Sequence, residues 1–464
     1  MASYDLIVIG GGPAGYVGAI RAAQLGKKVA CVENDRAGGT CLNWGCIPTK
    51  ALLKNAELYQ TLTQHADDFG LKIEGLEYDW EKVIGRSRSV SEKLAGGIEF
   101  LFKKNKVDYI RGEGGLAANG KVEVVDSEGK KESHSAENVL VSTGCKSREL
   151  PFLPFDDEKV IGSKRAMTLK EQPKSMIIIG AGAIGIEFAY FYAAFGTEVT
   201  VVEMLDSVLP VEDKEVSKAL EKSLAKQGLK IHTSMKTTSA DVSDKGVAVT
   251  IEPVEGGESQ TIEADVCLVA IGVSPVLPGN AEQLKLSDRG YIETDDRYQT
   301  NLPNVYAAGD IIGPPWLAHV ASYEAIQAVQ GMFDPDFQPK KVTLFPGCTY
   351  CHPEVASIGL TEEACKEQGL DYRVGKFPFA ASGRALAVGD SEGFTKIIFD
   401  KKYGEILGAH IIGAGATELI AEMGLAMTLE ATHEEIEATI HAHPTLAEAI
   451  HEAAAEAYGQ AIHI

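Results

Sequence analysis

Two stretches of the chain show the same order of apolar and polar positions. "LIVIGGGPAGYVGAIRAAQLGKKVACVEND" begins at Leu6 and "MIIIGAGAIGIEFAYFYAAFGTEVTVVEML" begins at Met176, an offset of 176 − 6 = 170 residues. In each, an apolar run of the buried-strand type reaches a glycine-rich turn, a helix rich in small residues follows, and a second apolar run ends in Glu33 or Glu203. The pattern predicts a duplicated strand–turn–helix–strand unit.

The two glycine-rich turns carry the fingerprint of dinucleotide binding. Glycines at the G-x-G-x-x-G spacing permit a tight turn, close approach of backbone to a pyrophosphate, and close packing of helix on strand. They are Gly10, Gly12 and Gly15 in the first copy, and Gly180, Gly182 and Gly185 in the second. The helix N-terminus then offers free N–H groups to phosphates. An acid at the end of the second strand accepts hydrogen bonds from ribose hydroxyls and repels a 2′-phosphate, so Glu203 favours NAD over NADP.

Apolar runs outside the repeat define the remaining organisation. Each copy closes with a further apolar strand and a glycine, Gly144 in "VLVSTG" and Gly272 in "CLVAIG". The first copy is longer, and its extra length contains Cys41 and Cys46. The end of the chain mixes apolar strands such as "TKIIFD" and "ILGAHIIG" with amphipathic helices. We predict an α/β protein with two Rossmann-like dinucleotide-binding domains, a central segment and a C-terminal α+β domain, over residues 1–150, 151–274, 275–340 and 341–464.

Composition narrows the function classes. With 44 basic and 66 acidic residues the formal charge is −22, which argues against a nucleic-acid or anionic membrane partner. A basic protein partner would be attracted, although acidity alone also keeps an abundant enzyme soluble. No apolar run reaches membrane-spanning length, and "MASYD" leads straight into a strand without a targeting peptide, so we expect a cytoplasmic protein of bacterial type. Eight cysteines are too sparse for a disulfide scaffold.

The segment "GGTCLNWGCIPTK" places Cys41 and Cys46 five positions apart. In a regular helix such residues lie about 8 to 9 Å apart between Cα atoms, whereas a disulfide needs less than about 7 Å. Bonding therefore requires a distorted turn at the start of a helix, which Gly45 and Pro48 can supply. A helix N-terminus also lowers the pKa of a thiol. The spacing alone is equally compatible with two buried structural thiols.

Among the eleven histidines, His443 has the best context for a general base. It precedes Pro444, and Glu448 follows five residues after it on a predicted helix. A carboxylate behind an imidazole fixes its tautomer and stabilises the imidazolium, which is what deprotonation of a thiol needs. Taken alone, a histidine before proline is more often a turn residue. We interpret His441 and His451 as structural.

Together these motifs resemble the class I pyridine nucleotide-disulfide oxidoreductases. The resemblance covers essentially the whole chain and rests on "GGTCLNWGCIPTK", the two dinucleotide motifs, "STG", "YAAGD" and "HAHPTLAEAIHEAA". Within the family, "CIPTKALL" and "HPTLAE" are similar to the flavoproteins that oxidise protein-bound dihydrolipoamide as the E3 component of 2-oxoacid dehydrogenase and glycine-cleavage complexes. The resemblance implies a homodimer with FAD and NAD as cofactors, a lipoyl-bearing protein as partner (an E2 core or the glycine-cleavage H protein), a C-terminal dimerisation domain, and no metal.

The resemblance also assigns roles to single residues. Cys41 and Cys46 form the redox disulfide, in which Cys41 exchanges with substrate and Cys46 faces the flavin. Lys50 pairs with Glu187 near the reactive flavin edge. His443 and Glu448 reach the disulfide of the other subunit, where His443 is the base that deprotonates the substrate dithiol. The implied FAD contacts are Gly10, Gly12, Gly15, Glu33, Thr40, Lys50, Gly114, Thr143, Gly144, Asp310 and Ala318, and the implied NAD contacts are Gly180, Gly182, Gly185, Glu203 and Gly272.

Some positions depart from the family pattern, and two rival functions stay open. Val273 stands where an arginine is common, Cys145 stands where a serine is usual, and the chain ends in "AIHI". Cys348 and Cys351 form a C-x-x-C. We interpret them as two ordinary reduced thiols rather than as a zinc site or a second redox centre, because the sequence has no second C-x-x-C to complete a four-ligand site. The rivals are a glutathione-reductase-like enzyme, which would want a basic site where Glu203 stands, and a flavoprotein scaffold docking on a lipoyl-transferase core.

Overall fold

The structure is a computed structural model, and it describes residues 2–117 and 121–464. The chain divides into two compact units. The first comprises the N-terminal segment up to Ala51 together with Ile84–Arg148 and Val273–Thr343, and the second comprises Leu52–Val83, Glu149–Gly272 and Leu344–Ile464. This division does not test the four predicted domain ranges, which stay a prediction.

The first unit is built on a seven-stranded mixed sheet. Its strands are β1 (Ser3–Ile9), β2 (Val29–Glu33), β3 (Asp108–Arg111), β4 (Glu113–Ala117), β5 (Lys121–Val125) and β6 (Lys131–Val141), with β17 (Val305–Ala307) paired to β6. The order β3-β2-β1-β6-β5-β4 leaves β1 between two parallel neighbours. Its continuous apolar run is buried on both faces, which is typical of parallel sheets covered by helices. A separate two-stranded ribbon pairs β7 (Cys145–Ser147) with β16 (Val273–Pro275).

The first unit also contains helices, two of which lie in the segment with Cys41 and Cys46. The helices are α1 (Pro13–Gln24), α2 (Gly39–Trp44), the start of α3 (Cys46–Gln64), most of α4 (Trp80–Asn105) and α8 (Ala318–Phe333). α1 follows β1 through the glycine-rich turn, with Pro13 at its first position, where the missing N–H costs no hydrogen bond. The first predicted strand–turn–helix–strand unit is therefore confirmed as β1, α1 and β2.

The second unit contains a five-stranded parallel sheet that repeats this arrangement. Its strands, in the order β11-β10-β9-β15-β8, are β8 (Val160–Ile161), β9 (Ser175–Ile179), β10 (Glu198–Val202), β11 (Lys230–His232) and β15 (Val266–Val269). The helices are α5 (Ser163–Ala166), α6 (Ala183–Ala194) and α7 (Lys214–Lys226), and an antiparallel sheet is formed by β12 (Met235–Ser243), β13 (Gly246–Pro253) and β14 (Gln260–Ala264). β9, α6 and β10 confirm the second copy of the repeat.

The C-terminal part of the second unit is an antiparallel sheet covered by helices. The sheet, in the order β18-β19-β22-β21-β20, consists of β18 (Pro346–Thr349), β19 (Val355–Gly359), β20 (Tyr372–Pro378), β21 (Phe394–Asp400) and β22 (Ile406–Ile412). The helices are α9 (Glu362–Glu367), α10 (Gly383–Val388), α11 (Ala416–Thr428), α12 (His433–Ala438) and α13 (Glu448–Glu456). The two strands predicted from "TKIIFD" and "ILGAHIIG" are β21 and β22, and the α/β class is confirmed. Within the described residues, no helix is both long and apolar enough to cross a membrane.

Candidate active site

The two glycine-rich turns have the same geometry, and side chains would not fit at four of their six glycines. Gly10 has φ +101° and a Cβ there would lie 2.3 Å from the Ser142 carbonyl oxygen, while a Cβ on Gly15 would lie 1.8 Å from the Gly10 oxygen. In the second copy the values are φ +105° at Gly180, with 2.5 Å from its Cβ to the Ala270 oxygen, and 1.9 Å from a Gly185 Cβ to the Gly180 oxygen. Strand, turn and helix thus approach one another closely only because these residues are glycines.

The middle glycine of each motif faces open space instead. A Cβ on Gly12 would meet only the Gly39 Cα, at 3.9 Å, and a Cβ on Gly182 would meet nothing within 4 Å. Both are N-cap residues, and neither makes a side-chain cap hydrogen bond, so the first-turn N–H groups of α1 and α6 lack intrahelical acceptors. Open space beside unsatisfied helix N-termini fits the pyrophosphate of a dinucleotide in both copies.

The acid that ends the second strand is held identically in the two copies. Oε2 of Glu33 accepts the Gly11 N–H at 2.7 Å and its Oε1 accepts the Asp35 N–H at 2.8 Å. Oε2 of Glu203 accepts the Ala181 N–H at 2.7 Å and its Oε1 accepts the Leu205 N–H at 2.8 Å. Each carboxylate thus closes its own turn, and both are 9% exposed.

The other predicted FAD contacts also fall in the first unit. Thr40 lies on α2 and Lys50 on α3, Gly114 on β4 packs against Ile9, and Ala318 begins α8. Thr143 donates to the Val276 oxygen at 2.5 Å, and Gly144 has φ +69°. Burial raises the pKa of Asp310 to about 6. The adjacent Gly309 N–H donates to Glu324 Oε2 at 2.8 Å.

Glu324 is a buried acid that the sequence reasoning missed. It is 9% exposed on the largely apolar helix α8, and burial raises its pKa to about 7. Its contact with Gly309 supports the turn that precedes Asp310. The one signal in the sequence is an isolated acid within the apolar run that follows "YAAGD".

The structure brings the two cysteines together across a break between helices. α2 ends at Trp44, Gly45 adopts φ −151° and ψ −112°, and α3 begins at Cys46. The sequence predicted one distorted helix start, whereas Cys41 lies in a short helix of its own. That helix is anchored by the buried Asn43 side chain, which donates to the Ala37 and Gly39 oxygens at 3.1 and 3.0 Å.

Both cysteines are thiols in the structure. Hydrogen bonding to Cys46 is the largest cause that raises the pKa of Cys41 far above its ordinary value, and burial is the next, while the positive charge of Lys50 opposes them. Two adjacent sulfurs therefore retain a proton near neutral pH.

His443 and Glu448 form a hydrogen-bonded pair in the second unit. Nδ1 of His443 lies 2.8 Å from Glu448 Oε1, and Glu448 Oε2 accepts the Thr445 N–H at 2.8 Å. Burial raises the pKa of Glu448, but the hydrogen bonds from Thr445 and His443 outweigh it and leave the pKa below its ordinary value. The ionised carboxylate fixes Nδ1 as a donor and leaves Nε2 as the acceptor, on a side chain that is 79% exposed in the single chain.

Several other predicted residues lie apart from these clusters. Lys50 and Glu187 belong to different compact units, and their pairing stays a prediction. Glu187 on α6 is buried, and its Oε1 accepts the Tyr350 N–H at 3.0 Å. Gly272, at the end of the segment after β15, has φ +99° and open space around its Cβ position. His441 is held by Glu422 Oε1, 2.7 Å from its Nε2.

The residues that depart from the family pattern have ordinary local contacts. Cys145 donates to the Asp310 oxygen at 3.3 Å, and the Val273 oxygen accepts from Arg148 at 2.9 Å. Cys348 lies on β18, whereas Cys351 lies beyond the strand and donates to the Pro353 oxygen at 3.3 Å. The described residues contain no cluster of three or more side chains suited to holding a metal ion.

Comparison with known proteins gives matches over nearly the whole chain. The family model described as pyridine nucleotide-disulphide oxidoreductase matches residues 4–325, and the model of the dimerisation domain of the same family matches residues 345–454. Dihydrolipoyl dehydrogenase of Rhizobium etli is 45% identical over 99% of this chain and 99% of its own length. The dihydrolipoyl dehydrogenases of Zymomonas mobilis and Bacillus subtilis are 44% and 43% identical, again over 99% of both chains.

Solved structures show the same similarity. LpdA from Mycobacterium tuberculosis superposes with a TM-score of 0.89 at 26% identity, covering 98% of this chain and 99% of that chain. The HOCl-induced flavoprotein disulfide reductase RclA from Escherichia coli gives a TM-score of 0.86 at 25% identity, covering 97% of this chain and 99% of that chain.

Proposed function

Because the chain belongs to the pyridine nucleotide-disulphide oxidoreductase family, we propose that it works as a dihydrolipoyl dehydrogenase with the residue roles set out below. It oxidises dihydrolipoamide to lipoamide and reduces NAD⁺ to NADH, using FAD and NAD. The observation that carries the residue assignment is the contact between Cys41 and Cys46 in the same compact unit as the first nucleotide motif.

In the proposed reaction the thiol pair begins as a disulfide. His443 takes a proton from one substrate thiol at Nε2, and the resulting thiolate attacks the Cys41 sulfur, so that Cys46 leaves as a thiolate. The second substrate thiol attacks the mixed disulfide, which releases Cys41 and closes the lipoamide ring. The substrate has then lost two electrons and two protons to the enzyme. FAD would be held by the glycine-rich turn between β1 and α1, where it would supply a two-electron acceptor for the reduced thiol pair and a hydride donor for NAD⁺.

The start of α3 supports the leaving role of Cys46. Its sulfur is on the first residue of a 19-residue helix, where the helix dipole stabilises negative charge. Lys50, one turn further along, adds a positive charge that opposes the raised pKa of Cys41, whose largest cause is hydrogen bonding to Cys46. The cofactor residues are the glycines and acids of the two turns, and the open space at Gly12 and Gly182 supports that assignment.

The base works across a homodimer, the assembly that the dimerisation-domain match indicates. In the single chain His443 is largely exposed, as expected for a side chain that a second copy covers. We propose that His443, oriented by Glu448, deprotonates the substrate beside the cysteine pair of the other subunit.

The natural substrate in this proposal is a lipoyl group carried by a protein, an E2 core or a glycine-cleavage H protein, and the site of action is the cytoplasm. The charge of −22 favours a basic docking partner over nucleic acid or an anionic membrane.

A paired assay tests the function against its nearest rival. The FAD-loaded protein is expected to reduce NAD⁺ with dihydrolipoamide and to show negligible oxidation of NADPH with oxidised glutathione. The variant Cys46→Ser should abolish the first reaction and the long-wavelength absorbance that a thiolate beside flavin gives on partial reduction, with FAD content unchanged. Cys348→Ser, outside the pair, is the matched control and should retain both. Glutathione turnover comparable to lipoamide turnover would overturn the proposal, and so would full activity of the Cys46 variant.

A further inference from the structure

A buried lysine that has no part in the proposed reaction ties the C-terminal sheet to the second nucleotide repeat. Lys396 on β21 has a fully buried side chain, and its Nζ donates to both carboxylate oxygens of Asp213 at 3.0 Å. Glu362 Oε2 at 2.7 Å and Glu215 Oε2 at 2.9 Å complete its surroundings. A charge taken fully out of water persists only when hydrogen-bonded partners of opposite sign surround it.

Asp213 is equally buried and holds the start of α7. Its Oδ1 accepts the Glu215 N–H at 3.0 Å as the helix N-cap, and its Oδ2 accepts the Glu362 N–H at 3.2 Å. Its backbone oxygen accepts the Ser217 N–H at 3.0 Å. The position of Asp213 is therefore fixed from two directions, by its own helix and by Lys396.

The segment just before Asp213 reaches the glycine-rich turn of the second nucleotide motif. Leu209 donates its N–H to the Ala181 oxygen at 2.9 Å, and Ala181 lies between Gly180 and Gly182. The Ala181 N–H in turn donates to Glu203 Oε2. Leu209 is thus one hydrogen bond away from the turn and two from the acid of the proposed NAD site.

Leu209 needs to be held in this position because its backbone is strained. Its φ of +42° is a left-handed conformation that a leucine rarely adopts. The Glu212 N–H and the Ser217 hydroxyl both donate to its oxygen, at 2.9 and 3.1 Å. Such strain persists only where surrounding contacts over-determine the backbone, and both donors lie within four residues of Asp213.

We propose that Lys396 is a positioning residue for the NAD site: by fixing Asp213 it keeps Leu209 bonded to Ala181, and so maintains the turn that presents Gly182 and Glu203 to the nucleotide. The inference rests on the proposed function, in which this repeat binds NAD.

The charge states of Lys396 and Glu362 agree with an ion pair that persists near neutral pH. Burial lowers the pKa of Lys396, but the hydrogen bonds that Lys396 donates to the surrounding carboxylates outweigh burial, raise the pKa and keep the lysine charged. Burial likewise opposes ionisation of Glu362, yet hydrogen bonds from Lys366 and Lys396 lower its pKa to about 2.

The test removes the charges of Lys396 and Asp213 together, while Glu362 keeps its ion pair with Lys366 and Glu215 keeps its ion pair with Lys376. In the double variant Lys396→Met/Asp213→Asn the methionine keeps most of the lysine volume, and asparagine remains a good N-cap. Binding of NAD⁺ to the oxidised, FAD-loaded dimer is measured by isothermal titration calorimetry, beside the KM for NAD⁺ in turnover. We expect NAD⁺ to bind 5- to 10-fold more weakly, with the KM for dihydrolipoamide, the FAD content and anaerobic reduction by dihydrolipoamide unchanged.

Two further variants keep the inference open to refutation. Lys396→Arg preserves the charge in a different shape and should weaken NAD⁺ binding by a smaller factor, which also covers the case in which the double variant does not fold. Lys376→Met is the matched control, because Lys376 pairs with Glu215 but not with Asp213, and it should bind NAD⁺ within twofold of the parent protein. If both Lys396 variants lower the melting temperature but bind NAD⁺ like the parent, Lys396 only stabilises the fold and the inference is wrong. Failure of the parent protein itself to bind NAD⁺ would overturn the proposed function on which the inference rests.

Discussion

Two alanine variants of one glycine motif, Gly182→Ala and Gly185→Ala, should impair different properties of the protein, namely ligand binding and stability. A Cβ on Gly182 would meet nothing within 4 Å, whereas a Cβ on Gly185 would lie 1.9 Å from the Gly180 oxygen. The first glycine leaves room for a ligand, and the second leaves room for the protein's own backbone. We therefore expect Gly182→Ala to lose NAD⁺ binding and Gly185→Ala to lose stability.

The structure sets the size of each effect. At Gly185 real Cβ atoms need more than 3.0 Å, so the turn or α6 must shift by at least 3.0 − 1.9 = 1.1 Å. Overpacking of this kind costs about 1 to 3 kcal/mol of unfolding free energy. Gly182 has φ −70° and ψ 178°, which any residue adopts, so the cost there is the weaker N-cap preference of alanine, about 0.5 to 1 kcal/mol. A methyl group in the path of the pyrophosphate should weaken NAD⁺ at least about tenfold, or about 1.4 kcal/mol.

Thermal unfolding followed by tryptophan fluorescence and calorimetric titration with NAD⁺ separate the two outcomes. Gly182→Ala should melt close to the parent protein yet bind NAD⁺ weakly. Gly185→Ala should melt several degrees lower. The reasoning is refuted if Gly182→Ala binds NAD⁺ as the parent does, or if Gly185→Ala is as stable as the parent.

Two other substitutions test the base and a buried acid. His443→Gln should lower kcat with dihydrolipoamide by about 100-fold or more, because the general base is lost. Oxidation of NADH by an artificial acceptor that bypasses the thiols should change less than twofold. An equal loss in both assays would indicate a structural role for His443. Burial raises the pKa of Glu212 to about 7 from 4.5, so between these pH values the folded protein binds more protons than the unfolded chain and stability falls as pH rises. The full effect is about 3 kcal/mol above pH 7. Glu212→Gln should therefore raise the melting temperature at pH 8, with a gain that shrinks towards pH 5, and parallel melting curves across this range would contradict the assignment of a raised pKa.

The sequence predicted those parts of the site that depend on neighbours close in the chain. The nucleotide turns are local, since the glycines and the acid of each copy lie within a single strand–helix–strand unit, and their spacing fixes their geometry. The contact between His443 and Glu448 could be anticipated for the same reason, because one helix start positions both. The catalytic and cofactor roles of all these residues stay predictions.

The break between the cysteines was predicted only in part. Gly45 and Pro48 indicated a distorted backbone, but the separate helix around Cys41 depends on the buried Asn43 side chain and its bonds to Ala37 and Gly39. An asparagine in such a segment usually indicates a surface turn, so nothing in the pattern indicated that it would anchor a buried helix.

The sequence alone did not indicate ion pairs between residues that are far apart in the chain. In "FTKIIFD" a lysine beside apolar residues favours a solvent-facing position on a strand. Lys396 is buried because its partners Asp213 and Glu362 come from 183 and 34 residues away. Glu324 was missed for a similar reason, since its burial depends on the turn at Gly309, which lies outside its own helix.

The way Glu33 and Glu203 close their own turns has a consequence for redesign of cofactor choice. Each carboxylate already accepts two backbone N–H groups, so in the proposed sites a ribose would meet an acceptor whose rotamer is fixed before binding. If Glu203 selects the cofactor as proposed, the side chain that sets the selectivity is also one that supports the turn. An engineer who exchanges Glu203 to admit a 2′-phosphate also removes two supports of the turn, and must supply new acceptors for the Ala181 and Leu205 amides before the altered preference can be measured in a folded site.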